Sequence, residues 1–515
     1  DKIHQDSYSE GELCALKKVE TSIAEYAPEW IDILYGMADA AKDNGLDITF
    51  TDLLHHFTLF ERMSSWGPHK LSDDVYNNDS NADCNLWEDV VDSDKTAKVK
   101  DNIKKESTCS GFAAWGNTTK DGKLLVAGSG DDAEGNFAAT VIVFPKTGNN
   151  YITQTFNLVS FGGFPNHPNM NNKGLVRIHH AGSTFTKNEA ASFSALPRGL
   201  VDMHTIRFAD NSEEALDLFM TYSLGYASTM GQGIFYADVG VVHDDKNSPV
   251  HHVYNVESRV PLAIRYPGDN GEGDFIYATN NWFSDILPKG GLKTPHGGYW
   301  YEDSWYWWSV SRNNIIYDLL SQNQGKVDVD FMKMMYRYPS KVNENKMLEE
   351  IDAEYWDGDG SDYNASVGSL ENSCIAIAVP DNGNNGVFHV STGAVGRLTG
   401  PAFPGAHQYQ PEKTWTFFEL KLAESPEAVM NAAKSVAEDC MGKAKFEYDN
   451  AQLDMAIADP IKTILTKAEN KYAEGKQLMV SNDIYTISKA TRCFTAAQAF
   501  ANQVYEVFVS PKTQP

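Results

Sequence analysis

Cys109-Ser110-Gly111-Phe112-Ala113-Ala114-Trp115 marks an abrupt change of texture in the chain. The forty residues before it, 69–108, are rich in Asp, Asn and Lys and show no regular apolar spacing, so they predict a surface linker. From Cys109 onward the residues are small and apolar. Lys120-Asp121-Gly122-Lys123 is a tight-turn signal, and Leu124-Leu125-Val126 returns as a strand. A sheet therefore begins where the linker ends, with a cysteine as its first residue. Ser110 and Gly111 suit close approach of a ligand to the backbone.

Reading outward, further strands are predicted at 141–144, 151–156, 233–242, 251–256, 275–279, 375–379, 387–391 and 414–422. Helices are predicted on both flanks. In 10–58, Ile23, Tyr26, Trp30, Ile33, Leu34 and Met37 recur at three- and four-residue spacing. Ser212 is read as the N-cap of a helix through Leu216 and Phe219, residues 312–322 form another, and Ser425-Pro426-Glu427 opens three or four more over 425–508. The sum is an α+β chain with helical additions at both ends. Its expected divisions are a helical region 1–68, the polar linker 69–108, a core 109–424 and a helical extension 425–515.

Composition narrows the function. A hydrophobic fraction of 42% in 515 residues is ample for a packed core. Lys and Arg total 43 against 70 Asp and Glu, a formal charge of −27. Such a surface repels nucleic-acid backbones, and no run of eighteen apolar residues predicts membrane insertion. The six cysteines form no CxxC pair, and neither His179-His180 nor His251-His252 can share a metal, because neighbours on a strand face opposite ways. Neither a metal nor a cofactor is expected. The sequence starts at Asp1 and carries sequons at Asn78, Asn117 and Asn364, candidate glycosylation sites. Both features point to export, to the medium, the cell surface or a lysosome-like compartment, with the cytoplasm as the alternative.

A cysteine at a linker-to-strand junction has a chemical use beyond packing. Cleavage of the Thr108–Cys109 bond gives Cys109 a free α-amine with an intrinsic pKa of about 7.7–8.0, which can act as general base for its own thiol. The cut itself would begin with attack of the thiol on the Thr108 carbonyl.

Residues 109–124, Cys-Ser-Gly-Phe-Ala-Ala-Trp-Gly-x-x-Thr-Lys-Asp-Gly-Lys-Leu, resemble the start of the mature chain in the autoproteolytic acyltransferase/amidohydrolase family, which includes isopenicillin N acyltransferase. The family is more distantly similar to penicillin V acylase, choloylglycine hydrolase and acid ceramidase. Four further segments resemble it in family order: residues 29–41 (a propeptide helix), 170–175 (M-N-E-K-G-L), 278–283 (T-N-H-F) and 309–312 (S-x-x-R). The resemblance implies a four-layer αββα N-terminal-nucleophile fold. It also implies Cys109 as nucleophile acting on a linear amide through a thioester, and a cleaved N-terminal fragment that stays bound as a subunit; association of whole copies is left open.

By the same resemblance, Asp131 would hold and polarise the Cys109 amine, although Gly128 stands where the family's G-R-N-x-D motif has its Arg. Asn280 would donate to the oxyanion, His180 would complete the oxyanion hole through its backbone N–H, and Arg312 would bind a carboxylate or steady the Asp and Asn. Trp115, Asn281 and Trp305, the last in an aromatic run over 299–308, are expected to line the substrate pocket. Hydrolysis, with a small-molecule or peptide amide as substrate, and acyl transfer to an amine or thiol share these steps. A non-catalytic secreted or structural protein on the same fold is the third reading.

Overall fold

The structure, a computed structural model, describes residues 8, 10–55, 109–131, 139–155, 168–181, 198–222, 232–240, 253–258, 263–280, 283, 292–294, 296–300, 307–337, 341–343, 346–349, 367, 372–391, 416–453 and 455–509. Within them the chain is α+β, with antiparallel sheets and several helices. The linker 69–108, Thr108, Asn281, Trp305, Asn78 and Asn364 lie outside the described residues.

Cys109 leads directly into β1 (Ser110–Ala114), whose five residues are all buried. On one side β1 pairs with β2 (Leu125–Asp131), and on the other with β10 (Phe275–Ala278), both antiparallel. The sheet continues through β11 (Asn372–Val379), β12 (Val387–Ser391) and β13 (Phe418–Lys421), in the order β10-β1-β2-β11-β12-β13. Runs such as Phe275-Ile276-Tyr277-Ala278, buried at every position, are what a strand covered on both faces requires.

A second sheet of seven strands follows chain order: β3 (Ala139–Val143), β4 (Tyr151–Thr155), β5 (Asn169–Asn171), β6 (Leu175–Ala181), β7 (Gln232–Asp238), β8 (Val253–Ser258) and β9 (Ala263–Arg265). Ile152, Val176, Ile178, Phe235 and Ala237 of this sheet share one apolar cluster with Phe112, Val126, Ile375 and Ile377 of the first. Gln154 crosses the gap, its Nε2 donating to the carbonyls of Ile375 and Ser391, each at 3.4 Å.

The approach is tightest at Gly111, where a Cβ would sit 2.9 Å from Ile178 Cγ2 and 3.1 Å from Phe235 Cε2. Gly111→Ala is therefore expected to lower stability by about 1–3 kcal/mol through overpacking. Thermal unfolding checks this; an unchanged Tm would mean that the two sheets are not in contact there.

Helices pack on both sheets. Ile315, Ile316 and Leu320 of α5 (Trp307–Gln322) and Met332, Met335 and Tyr336 of α6 (Val329–Arg337) join the cluster containing Phe112. The Phe112 and Tyr336 rings stack at 5.6 Å. On the second sheet, alternation turns Tyr151, Leu175 and Tyr236 the other way, into a cluster with α3 (Arg198–Phe208) and α4 (Ser212–Tyr222). Leu16, Val19, Ile23, Trp30 and Leu34, from α1 (Glu10–Tyr26) and α2 (Glu29–Asp43), complete the same cluster. The buried Arg177–Asp202 pair, 2.5 Å apart, ties β6 to α3.

At the C-terminal end stand α7 (Pro426–Asn450), α8 (Met455–Leu478) and α9 (Ile484–Val509). Ser425 Oγ caps α7 by accepting from Ala428 N, with Pro426 as the first helical residue.

Three local expectations change. Ser212 is not the cap of α4: Asn211 Oδ1 accepts from Glu214 N at 2.9 Å, while Ser212 is buried and its own N–H donates to Asp238 Oδ2 at 2.7 Å. The helix expected from residue 312 starts at Trp307, which places Arg312 in its second turn. The strand expected over 414–422 is confined to Phe418–Lys421 among the described residues.

Candidate active site

Sheet register assembles the site. Gly111 pairs with Ala278 across β1–β10, and continuing that pairing sets Cys109 opposite Asn280. Across β1–β2, Ser110 pairs with Ser129, which sets Cys109 opposite Gly130. Cys109 thus stands between a residue with an amide side chain and one with no side chain. It is 2% exposed, and Asn280 is fully buried.

The strand alternates faces. Gly111 faces Ile178 and Phe235 of the second sheet, whereas Ser110 turns toward α5. There it meets Arg312, which is 1% exposed. Arg312 Nη1 donates to the Cys109 carbonyl at 2.9 Å and to Ser110 Oγ at 2.8 Å, and Nη2 donates to Asn280 Oδ1 at 2.7 Å. A guanidinium carries donors in a fixed fork, so one side chain can set the relative position of three groups from two strands. With its carbonyl on Arg312, the Asn280 amide turns its NH₂ away from the guanidinium. That NH₂ is the end able to stabilise a developing oxyanion.

Hydroxyls reinforce the arrangement. Ser129 Oγ accepts from Ser110 N at 3.3 Å, and Thr279 Oγ1 donates to the Ser309 carbonyl at 2.8 Å, joining the end of β10 to the helix that carries Arg312. All four residues are fully buried. The sequence gives none of these hydroxyls a bonding role, yet a signal is there: each adjoins or opens one of the motif segments, as in Cys109-Ser110, Gly128-Ser129, Thr279-Asn280 and Ser309-x-x-Arg312.

Tyr277 anchors the same strand from below. Its hydroxyl donates to the His296 carbonyl at 2.6 Å, and burial pushes its phenol far above the usual range, so it stays a protonated donor. The His296 ring stacks on Tyr317 of α5 at 3.5 Å. These contacts hold α5 against β10 and so hold Arg312 at Asn280.

The other expected residues fall at varying distances. Asp131 ends β2, one residue beyond the position opposite Cys109. His180 lies in β6, its backbone paired with Gly233, two residues along from the Ile178 that packs on Gly111. Trp115 does not join Cys109. It follows the far end of β1, roughly 20 Å of extended chain away, is 8% exposed and belongs to the apolar core, its N–H bonded to the Asp274 carbonyl at 2.9 Å. Asn117, a sequon asparagine, is exposed in the turn that follows.

Among the described residues no group of three His, Cys, Asp or Glu side chains could hold a metal, and no helix is long and apolar enough to cross a membrane. No protein-family model matches the chain, and no curated protein matches it. Solved structures that match include a variant of conjugated bile acid hydrolase from Clostridium perfringens, 11% identical over 55% of this chain and 89% of that one, with a TM-score of 0.32. Likeness at that level carries no argument about chemistry.

Proposed function

We propose that the chain is an autoprocessed cysteine N-terminal-nucleophile amidohydrolase on a four-layer αββα core. The observation that carries the reading is the Arg312 fork, which fastens the Cys109 carbonyl and the Asn280 amide to one buried cation. Packing alone gives no reason to gather a cysteine backbone, an asparagine and an arginine at the head of a central strand. A site that must hold a nucleophile beside an oxyanion donor does.

In the reading, the Cys109 thiol attacks the Thr108 carbonyl, the acyl group shifts from nitrogen to sulfur, and water releases residues 1–108. The freed α-amine, polarised by Asp131, then takes the thiol proton as the sulfur attacks a substrate amide carbon. Negative charge that gathers on the carbonyl oxygen is met by the Asn280 NH₂ and the backbone N–H at His180. Collapse expels the leaving amine, which receives the proton held on the Cys109 nitrogen, and leaves a Cys109 thioester. Water, deprotonated by the same amine, attacks the thioester and releases a carboxylic acid. An amine or thiol in place of that water would make the same enzyme an acyltransferase. Assays with and without added amine acceptor separate the two.

Mass spectrometry of the purified protein tests the reading. The expected result is a large fragment beginning at Cys109, with two bands near ~12 and ~45 kDa from chain length. A catalytically competent protein with an intact 108–109 bond would overturn it.

A further inference from the structure

Arg265, at the end of β9, is buried, and so is its acidic neighbour Glu272, 3.7 Å away. Its Nη2 donates to the Tyr277 carbonyl of β10. Its guanidinium carbon lies 3.7 Å from the centre of the Phe283 ring. Tyr277 precedes Asn280 by three residues and Phe283 follows it by three. One side chain therefore grips the chain on both flanks of Asn280.

Stability gives little reason for this arrangement. Arg265 Nε and Nη1 and Glu272 Oε1 make no hydrogen bond among the described residues. A buried ion pair so incompletely satisfied is often no more stable than apolar residues of the same volume. What a guanidinium adds is geometry: it donates in its plane while its face stacks on an aromatic ring. Topology shows where such a fastening is needed. β10 is the edge of its sheet, held by β1 on one side only. Arg312 fixes the Asn280 side chain, but its NH₂ is aimed only if the backbone that carries it is fixed too.

We infer that Arg265 is a positioning residue for the reaction: from the second sheet it sets the backbone of Asn280, and hence the direction in which the Asn280 NH₂ meets the oxyanion. The inference rests on the amidohydrolase reading above. Glu272 supplies the countercharge that keeps the guanidinium in place, its own Oε2 accepting from Asn270 N at 2.8 Å.

Two reactions of Cys109 separate positioning from structure. Acylation by p-nitrophenyl acetate passes through a tetrahedral oxyanion: the sulfur bonds to the acetyl carbon, the ester C–O bond breaks and p-nitrophenolate leaves. Alkylation by iodoacetamide displaces iodide from a CH₂ carbon and forms no oxyanion. The first is read as nitrophenolate release above that of Cys109→Ala, the second by mass spectrometry of the peptide that holds Cys109. In Arg265→Met/Glu272→Gln, which leaves neither charge buried alone, acylation should fall about 10–100-fold, the range for a displaced donor, with alkylation unchanged. Phe283→Leu removes the stacked ring, keeps the ion pair and should slow acylation alone, by less. In an Asn280→Ala background neither change should slow acylation further. If both variants acylate at the wild-type rate, or lose the two reactions alike, the inference is overturned and the amidohydrolase reading stands. A wild-type Cys109 that the ester does not acylate would overturn both.

Discussion

Cys109→Ala is expected to yield a single uncut chain of 57.1 kDa with no amide turnover. Alanine removes the sulfur needed for the N-to-S shift and for the thioester, so cleavage and catalysis fall together. The fold should persist. Cys109 is a small buried residue, and the fork from Arg312 reaches its backbone carbonyl, which alanine retains. The cost of the lost sulfur is that of a minor cavity, on the order of 1 kcal/mol. Cys109→Ser separates the steps, because a hydroxyl can still process slowly as a terminal nucleophile. Gel mobility and an amide-release assay check both variants. Residual turnover in Cys109→Ala would end the case for this nucleophile.

The second large effect belongs to Arg312. Arg312→Lys keeps the charge but replaces a planar fork with one ammonium, which cannot serve the Cys109 carbonyl, Ser110 Oγ and Asn280 Oδ1 in the same geometry. The expected loss is about 10²–10³ in kcat, the magnitude for losing an oxyanion donor, because Asn280 is no longer aimed. KM should move little, since Arg312 touches no part of the substrate in this scheme. A purely structural arginine would lower Tm and yield without that split. A cycle with Asn280→Ala sharpens the test: if Arg312 works by holding Asn280, the double variant should be no slower than Asn280→Ala alone. Effects that simply multiply would assign Arg312 a separate role.

The grouping of Cys109, Asn280 and Arg312 was legible because each lies in a short segment with its own pattern, and antiparallel pairing fixes the neighbourhood of the first two. Once β10 was known to lie beside β1, residue 109 could only stand near residue 280. The buried hydroxyls around them were not legible. Ser110, Ser129, Thr279 and Ser309 are ordinary strand and helix residues until Arg312 supplies a reason to bury them. Trp115 stands apart for the opposite reason: nearness in sequence to Cys109 becomes distance in an extended strand. Helix α3 escaped prediction because Asp202, Thr205 and Arg207 are buried in it beside Leu200 and Ile206, which erases an apolar stripe. Ser212 looked like a cap, but its neighbour Asn211 has the side chain that reaches the first-turn amide.

The packing of α1 and α2 has a consequence for the life history of the molecule. Trp30 and Ile23 share a core with Phe219 and Tyr236, and Glu29 lies 3.6 Å from Arg207, so residues from both sides of the 108–109 bond are interlocked. If that bond is cut, two polypeptides must find each other again after any full unfolding. Recovery would then be second order and would slow on dilution, whereas the uncut chain would refold at a rate independent of concentration. A processed molecule would therefore be recovered from its pieces only where they are concentrated enough to meet.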